Sequence, residues 1–257
     1  MRLEQDLRDV RSAGRKALVP YLVAGIDADW RDHVRAAAFA GADAIEIGIP
    51  FSDPMMDGVI IQEASNRALA NGATFISILE ELGSVEVDVP LIVMTYYNIF
   101  HHHGLERSAA DLSRVGVVGT IVPDLSLEEV GGWRECANAN GIASILMVAP
   151  STPADRAAEI ACASQGFAYA QGRMAVTGLA SSGGQGSEVV SLVRAASDIP
   201  VYIGIGISNS EQARAAAEAS DGVIVGSALV QKVLDGEGAS GVERFVGELR
   251  SALNSLG

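Results

Sequence analysis

Two carboxylates, Glu46 and Asp57, lie in the stretch Ala42–Gly58, ADAIEIGIPFSDPMMDG. Glu46 interrupts an apolar run. Side chains alternate along a strand, so Ile45, Ile47 and Ile49 share one face and Ala44, Glu46 and Gly48 the other. If the isoleucines meet covering helices, the acid points to the interior between small neighbours. Interior positions on the neighbouring predicted strands offer no cation to pair with it. An unpaired buried carboxylate is costly to ionise. Its pKa should rise into the range that suits proton transfer near neutral pH. Asp57 sits in the loop beyond this strand, with Asp53. Asp53 precedes Pro54 and also reads as a turn residue, and Asp57-Gly58 precedes a helix that an Asp can cap.

A second chemical signal comes late in the chain. Gly204-Ile-Gly-Ile-Ser208 and Gly226-Ser227 end two predicted strands, and the second leads into a helix-prone segment, Ala228–Leu234. Glycine lets backbone N–H groups approach an anion, and a helix N-terminus adds partial positive charge. Together they predict a phosphate seat. The Gly-rich stretch from Thr177 to Gly186 reads as a lid. Tyr169, near the end of another strand, is either core or a site contact. His101-His102-His103 lacks a matching acid or cysteine cluster and predicts no metal site. Met55-Met56 is an apolar pair in the acidic loop, suited to covering a substrate or meeting another protein.

The elements that must position these residues alternate. Residues 2–12 form an amphipathic helix. Predicted strands follow at 17–24, 43–49, 91–95, 118–122, 144–148, 167–170, 201–205 and 222–225. Helices are predicted at 30–40, 60–70, 76–82, 108–115, 127–138, 153–164, 187–196 and 210–219, the last capped by Ser208 or Ser210. Eight apolar strands alternating with helices imply a parallel sheet. Eight such units in 257 residues predict a single (β/α)8 TIM barrel spanning 1–257 with a short extra N-terminal helix. A barrel of this kind works at the C-terminal ends of its strands. Both the acids and the glycine loops fall there. A doubly wound sheet is the alternative, but Gly25-Ile-Asp-Ala after the first strand lacks its glycine fingerprint.

The totals agree. Hydrophobic residues make up 49% of the chain and aromatics only 5%. The net charge of −14, with no basic patch, argues against nucleic acid. No apolar run reaches the roughly 18 residues of a membrane span. Two cysteines, Cys136 and Cys162, fit neither a disulfide framework nor a zinc knuckle, which points to the cytoplasm.

Six blocks then carry a resemblance. These are Glu46-Ile-Gly-Ile-Pro-Phe-Ser-Asp-Pro-Met-Met-Asp-Gly58, Met94-Thr-Tyr-Tyr-Asn98, Val122-Pro-Asp-Leu125, Val176-Thr-Gly178, Gly204–Ser208 and Asp221–Ser227. In order and spacing the chain resembles the tryptophan synthase alpha subunit family over essentially its full length, nearest its actinobacterial branch. The resemblance implies retro-aldol cleavage of indole-3-glycerol phosphate to indole and glyceraldehyde 3-phosphate. Glu46 then matches the acid–base residue at C3, and Asp57 the carboxylate that accepts the indole N–H. Gly178, Gly206, Gly226 and Ser227 match the phosphate cradle, with Thr177 in the same block. Tyr169 matches a tyrosine near the glycerol chain, and Tyr21 a contact to the indole. No cofactor or metal is implied on this chain. The implied partner is a pyridoxal-phosphate beta subunit in an αββα assembly. Three loops depart from the family: Val59-Ile60 replaces the usual Pro-Thr, Gly25-Ile-Asp-Ala-Asp follows the first strand, and the lid reads GLASSGGQG. These spare the acids and the phosphate glycines. A free-standing lyase that releases indole, or an inactive subunit that only activates its partner, are the competing readings.

Overall fold

The structure is a computed structural model that describes residues 1–172, 184–204 and 206–256. The chain begins with α1 (Arg2–Ser12), β1 (Ala17–Val23), α2 (Trp30–Phe39), β2 (Ile45–Gly48), α3 (Val59–Ala70), α4 (Phe75–Leu82) and β3 (Leu91–Met94). It continues through α5 (Tyr97–His103), α6 (Leu105–Arg114), β4 (Val117–Ile121), α7 (Val130–Ala139), β5 (Ala143–Val148), α8 (Ala154–Ala163) and β6 (Ala168–Gln171). It ends with α9 (Gly184–Ala196), β7 (Val201–Gly204), α10 (Ser210–Ala219), β8 (Gly222–Val225), α11 (Ser227–Leu234) and α12 (Gly238–Asn254). The eight strands pair in chain order, all parallel, and β8 closes on β1. This is the (β/α)8 barrel expected from the alternation.

Period-two alternation sorts the strand side chains into two cores. Leu18, Ile45, Ile47, Leu91, Val93, Val223 and Val225 face outward and pack with helix residues such as Trp30, Ala37, Ile61 and Phe100. Val19, Ala44, Ile92, Ile121, Ile145 and Ile224 face inward. Leu3 and Leu7 of α1 are buried in the same inner cluster, so the extra helix packs onto the barrel interior.

Two aspartates fix strand register just ahead of β2 and β8. Asp43 Oδ2 accepts from the Leu18 N–H at 2.9 Å, and Asp221 Oδ2 from the Val201 N–H at 2.9 Å. Each also holds an arginine. Arg250 of α12 donates to Asp43 at 2.8 Å and to the Lys16 carbonyl at 2.9 Å, and Arg194 donates to Asp221 at 2.9 Å. The C-terminal helix is thereby bound to the start of the sheet.

Local differences from the sequence expectation have physical causes. The cap of α10 is Asn209, whose side chain accepts from the Gln212 N–H at 2.9 Å. Neither expected serine serves: the Ser208 N–H and hydroxyl both donate to Gln212 Oε1. The histidine tract, which periodicity left unassigned, forms the end of α5. Residues 126–129 make a turn ahead of α7, with the Val130 N–H bonded to the Ser126 carbonyl at 2.9 Å. Ile205, expected to end β7, lies outside the described residues, as do Thr177 and Gly178.

The Asp43–Arg250 pair has both side chains nearly buried, at 5% and 9% exposure. Asp43→Ala strands a buried guanidinium, and urea unfolding should show a loss of about 3 kcal/mol, in the range for breaking a buried pair.

Candidate active site

Glu46 stands in the middle of β2, in register with Tyr21 of β1 and Ile92 of β3. Its outward neighbours, Ile45 and Ile47, are held by the helix layer, which turns the carboxylate into the barrel. It is 1% exposed, and Oε2 has no hydrogen-bond partner. Burial in this dry interior, with the nearby charge of Asp57 adding to it, pushes its pKa up to about 8. At neutral pH this acid carries a proton it can give away.

Asp57 reaches the same mouth from the β2–α3 loop. Its carboxylate does not cap α3. The cap position belongs to Gly58, with no side-chain cap bond. Instead Asp57 Oδ2 accepts from the Tyr96 hydroxyl at 3.2 Å. That hydroxyl in turn accepts from the Met56 N–H at 2.9 Å, and Gln62 donates to the Asp57 carbonyl at 2.7 Å. The Tyr96 ring stacks on Phe51, centroids 5.1 Å apart. Burial raises the Asp57 pKa to about 6, and the Tyr96 bond works against that rise. The two acids thus differ in their resting state: one protonated, one largely ionised at neutral pH.

Tyr96 was missed as a functional residue in the sequence, where it appeared only inside the Met94–Asn98 block. Its position directly after β3, at the barrel mouth, was the available signal. Asp53 belongs elsewhere: it is exposed and accepts from the Ser52 hydroxyl at 2.6 Å.

Two tyrosines flank the acids, each fitted over a glycine of the next strand. A Cβ on Gly48 of β2 would lie 2.0 Å from the Tyr21 hydroxyl, and one on Gly204 of β7 would lie 2.1 Å from the Tyr169 hydroxyl. Burial, then the charges of the two acids, raises both phenols well above their ordinary pKa, so both stay neutral.

On the far side of β1 from the acid strand, Gly226 precedes the first turn of α11, which begins at Ser227. No side chain caps this helix, so its opening N–H groups are available to an anion. Gly206 nearby has φ +92°, a conformation that favours glycine. The structure therefore brings Gly206, Gly226 and Ser227 to the end of the barrel that carries the acids. Thr177 and Gly178, expected beside them, fall outside the described residues.

Among the described residues no group of three or more His, Cys, Asp or Glu could hold a metal ion. His103 bonds Asp111 at 2.9 Å, and His101 lies against Tyr97, 5.7 Å between centroids. No helix among the described residues is long and apolar enough to cross a membrane.

Fold and site together define a class: a (β/α)8 barrel that gathers two acids of unlike ionisation at the C-terminal ends of its strands. Comparison with known proteins narrows this. The family model for the tryptophan synthase alpha chain matches residues 7–252. The tryptophan synthase alpha chain of Streptomyces coelicolor is 41% identical, covering 94% of this chain and 91% of its own. That of a Picosynechococcus species is 38% identical over 98% of both. Among solved structures, Mycobacterium tuberculosis tryptophan synthase superposes with a TM-score of 0.91 at 37% identity, covering 98% of both chains. The alpha subunit from Legionella pneumophila strain Paris gives 0.88 at 29%, covering 99% of this chain and 98% of its own. This chain belongs to the tryptophan synthase alpha chain family.

Removing the Tyr96 hydroxyl removes the one interaction that holds the Asp57 pKa down. In Tyr96→Phe, an NMR titration of the Asp57 carboxyl should show a midpoint above about 6.

Proposed function

We propose that this chain is a lyase subunit that splits indole-3-glycerol phosphate into indole and glyceraldehyde 3-phosphate. The observation that carries the reading is a buried, unpaired, protonated Glu46 beside an ionisable Asp57. Cleavage needs a proton on indole C3, so that the bond to the side chain can break. Glu46 donates that proton. The ring nitrogen becomes positive, and the Asp57 carboxylate accepts its N–H and stabilises the charge. The carbinol hydroxyl then loses its proton to the Glu46 carboxylate. Its C–O becomes the aldehyde, and the electron pair of the broken C–C bond restores the indole. Glu46 ends protonated, as it began. Gly206, Gly226 and Ser227 seat the phosphate by backbone N–H groups, with Thr177 and Gly178 completing the seat. Tyr169 lies along the glycerol chain.

The chemistry consists of one proton in and one proton out, and Glu46 carries both while Asp57 holds the charge on the ring nitrogen. We assign no cofactor to this chain, and pyridoxal phosphate to a partner beta subunit. Met55 and Val59 flank Asp57 in sequence and are 77% and 75% exposed, with Met56 exposed between them. An apolar patch on the acidic loop suits a partner face. We assign it to the beta subunit in an αββα assembly that hands indole on directly, rather than to a free-standing lyase. Free cysteines at 136 and 162 fit a cytoplasmic location.

The competent form has Glu46 protonated and Asp57 ionised, so kcat/KM should be highest between about pH 6 and about pH 8 and fall on both sides. Glu46→Gln should lower indole release by about 10²–10⁴-fold, with and without a beta subunit. Retained turnover would remove Glu46 from the mechanism. Stimulated beta activity without cleavage by the wild type would make the chain a regulatory subunit.

The same substitution has a stability signature. The unfolded Glu46 carboxyl titrates near 4.5 and the folded one near 8, so the native state keeps a proton the unfolded state loses. Stability falls as pH rises through that window. Denaturation midpoints should therefore favour Glu46→Gln increasingly between those pH values.

Val59 opens α3, where an acidic residue suits the helix dipole. Val59→Glu should leave the fold intact and weaken beta-subunit association at least about tenfold, read by titration of the beta-subunit activity.

A further inference from the structure

Tyr21 carries a hydroxyl that the fold accommodates with care and that no group among the described residues uses. The residue is half-buried at the upper end of β1. Its ring bridges two strands. The Cβ, Cγ and Cδ1 side lies 3.4–3.6 Å from where Gly226, between β8 and α11, would carry a Cβ. The hydroxyl oxygen lies 2.0 Å from where Gly48 of β2 would carry one. Any side chain at position 48 would displace that oxygen. The hydroxyl makes no hydrogen bond with the described residues, and neither does Glu46 Oε2. A phenol oxygen at the barrel mouth with no partner among these residues is free to bond a ligand that enters there.

The course of the ring says which part of the ligand. It runs from the phosphate seat at Gly226 to the acid strand at Gly48. The proposed substrate has the same polarity: phosphate at one end, indole at the other, hydroxylated carbons between. Laid from seat to acids, its chain runs beside the Tyr21 ring. The carbon that arrives at the phenol oxygen is the carbinol carbon bonded to indole C3. We propose that the Tyr21 hydroxyl hydrogen-bonds the carbinol hydroxyl of the substrate and aims its proton at Glu46. The phenol stays neutral, so it orients this hydroxyl and leaves the proton transfer to Glu46. Tyr21 is thus a substrate contact whose oxygen recognises the side chain while its ring lines the mouth. The inference rests on the cleavage proposed for this site.

Tyr21→Phe removes only the oxygen. With the beta subunit present, kcat/KM for indole-3-glycerol phosphate should fall about tenfold, the scale of one lost hydrogen bond, chiefly in kcat. An indole carrying a phosphorylated three-carbon chain without hydroxyls should bind wild type and Tyr21→Phe within about twofold of each other. Unchanged kcat/KM in the variant would overturn the proposal. So would an equal loss of affinity for the hydroxyl-free ligand, which would make the phenol a packing group. If the wild type itself fails to cleave, the reading of the site falls with the inference. If it cleaves and Tyr21→Phe matches it, the inference alone falls.

Discussion

The structure depends on one physical conflict: a carboxyl group kept in the dry interior of a barrel with no cation beside it. Glu46 is tolerated because it stays protonated, and it stays protonated because the barrel around it is apolar and because Asp57 is close. An arginine in the interior would relieve the conflict and abolish the chemistry, since a paired carboxylate holds no proton at neutral pH. Among the described residues the one buried arginine, Arg250, sits by Asp43 instead. The barrel thus places its buried ion pair where it sets register, and its buried lone acid where it can react.

Strands β2 and β8 solve related problems with related sequences. Asp43 and Gly48 frame one, Asp221 and Gly226 the other. In each, the aspartate accepts the N–H at the start of the preceding or neighbouring strand. In each, the glycine five residues on lies beside Tyr21. The register of Tyr21 with Glu46 follows from the first pair, and the packing of the same ring against the α11 entrance follows from the second. Glu46 and the entrance of α11 are therefore held at a distance fixed by one aromatic ring between two glycines. A change in either register would move both ends of the site together.

What could be read from the sequence followed from periodicity. The isoleucines around Glu46 determine its face, because outward apolar side chains need a helix layer and the remaining face has nowhere to go but inward. The eight-fold alternation of strand and helix gave the barrel for the same reason. What could not be read was contact between segments far apart in the chain. Asp57 looked as much like a cap as a site residue, since a cap and a loop carboxylate have the same local sequence. Only the arrival of Tyr96, 39 residues away, separates them. Asn209 does not stand out as a cap in the sequence because serines flank it and both residue types cap well. The short α5 was lost because its histidines carry no apolar period.

The Met56–Tyr96–Asp57 chain of hydrogen bonds joins the outside of the molecule to its reacting end. The Met56 amide is bonded to the hydroxyl that holds Asp57, while the side chains around it stand in solvent. The loop is anchored beyond this as well. It runs into α3, and Asn71 after that helix donates to the Ile26 carbonyl at 3.0 Å in the loop that follows β1. Met55 and Val59 thus stand on a short loop tied at both ends, at the Tyr96 hydroxyl and through α3 to the loop after β1. Tightening that bond lowers the Asp57 pKa and favours its ionised form, while loosening it lets burial raise the pKa further. The two acids are thereby set apart by their supports: the one held protonated is on a buried strand, and the one that ionises is on a loop open to solvent.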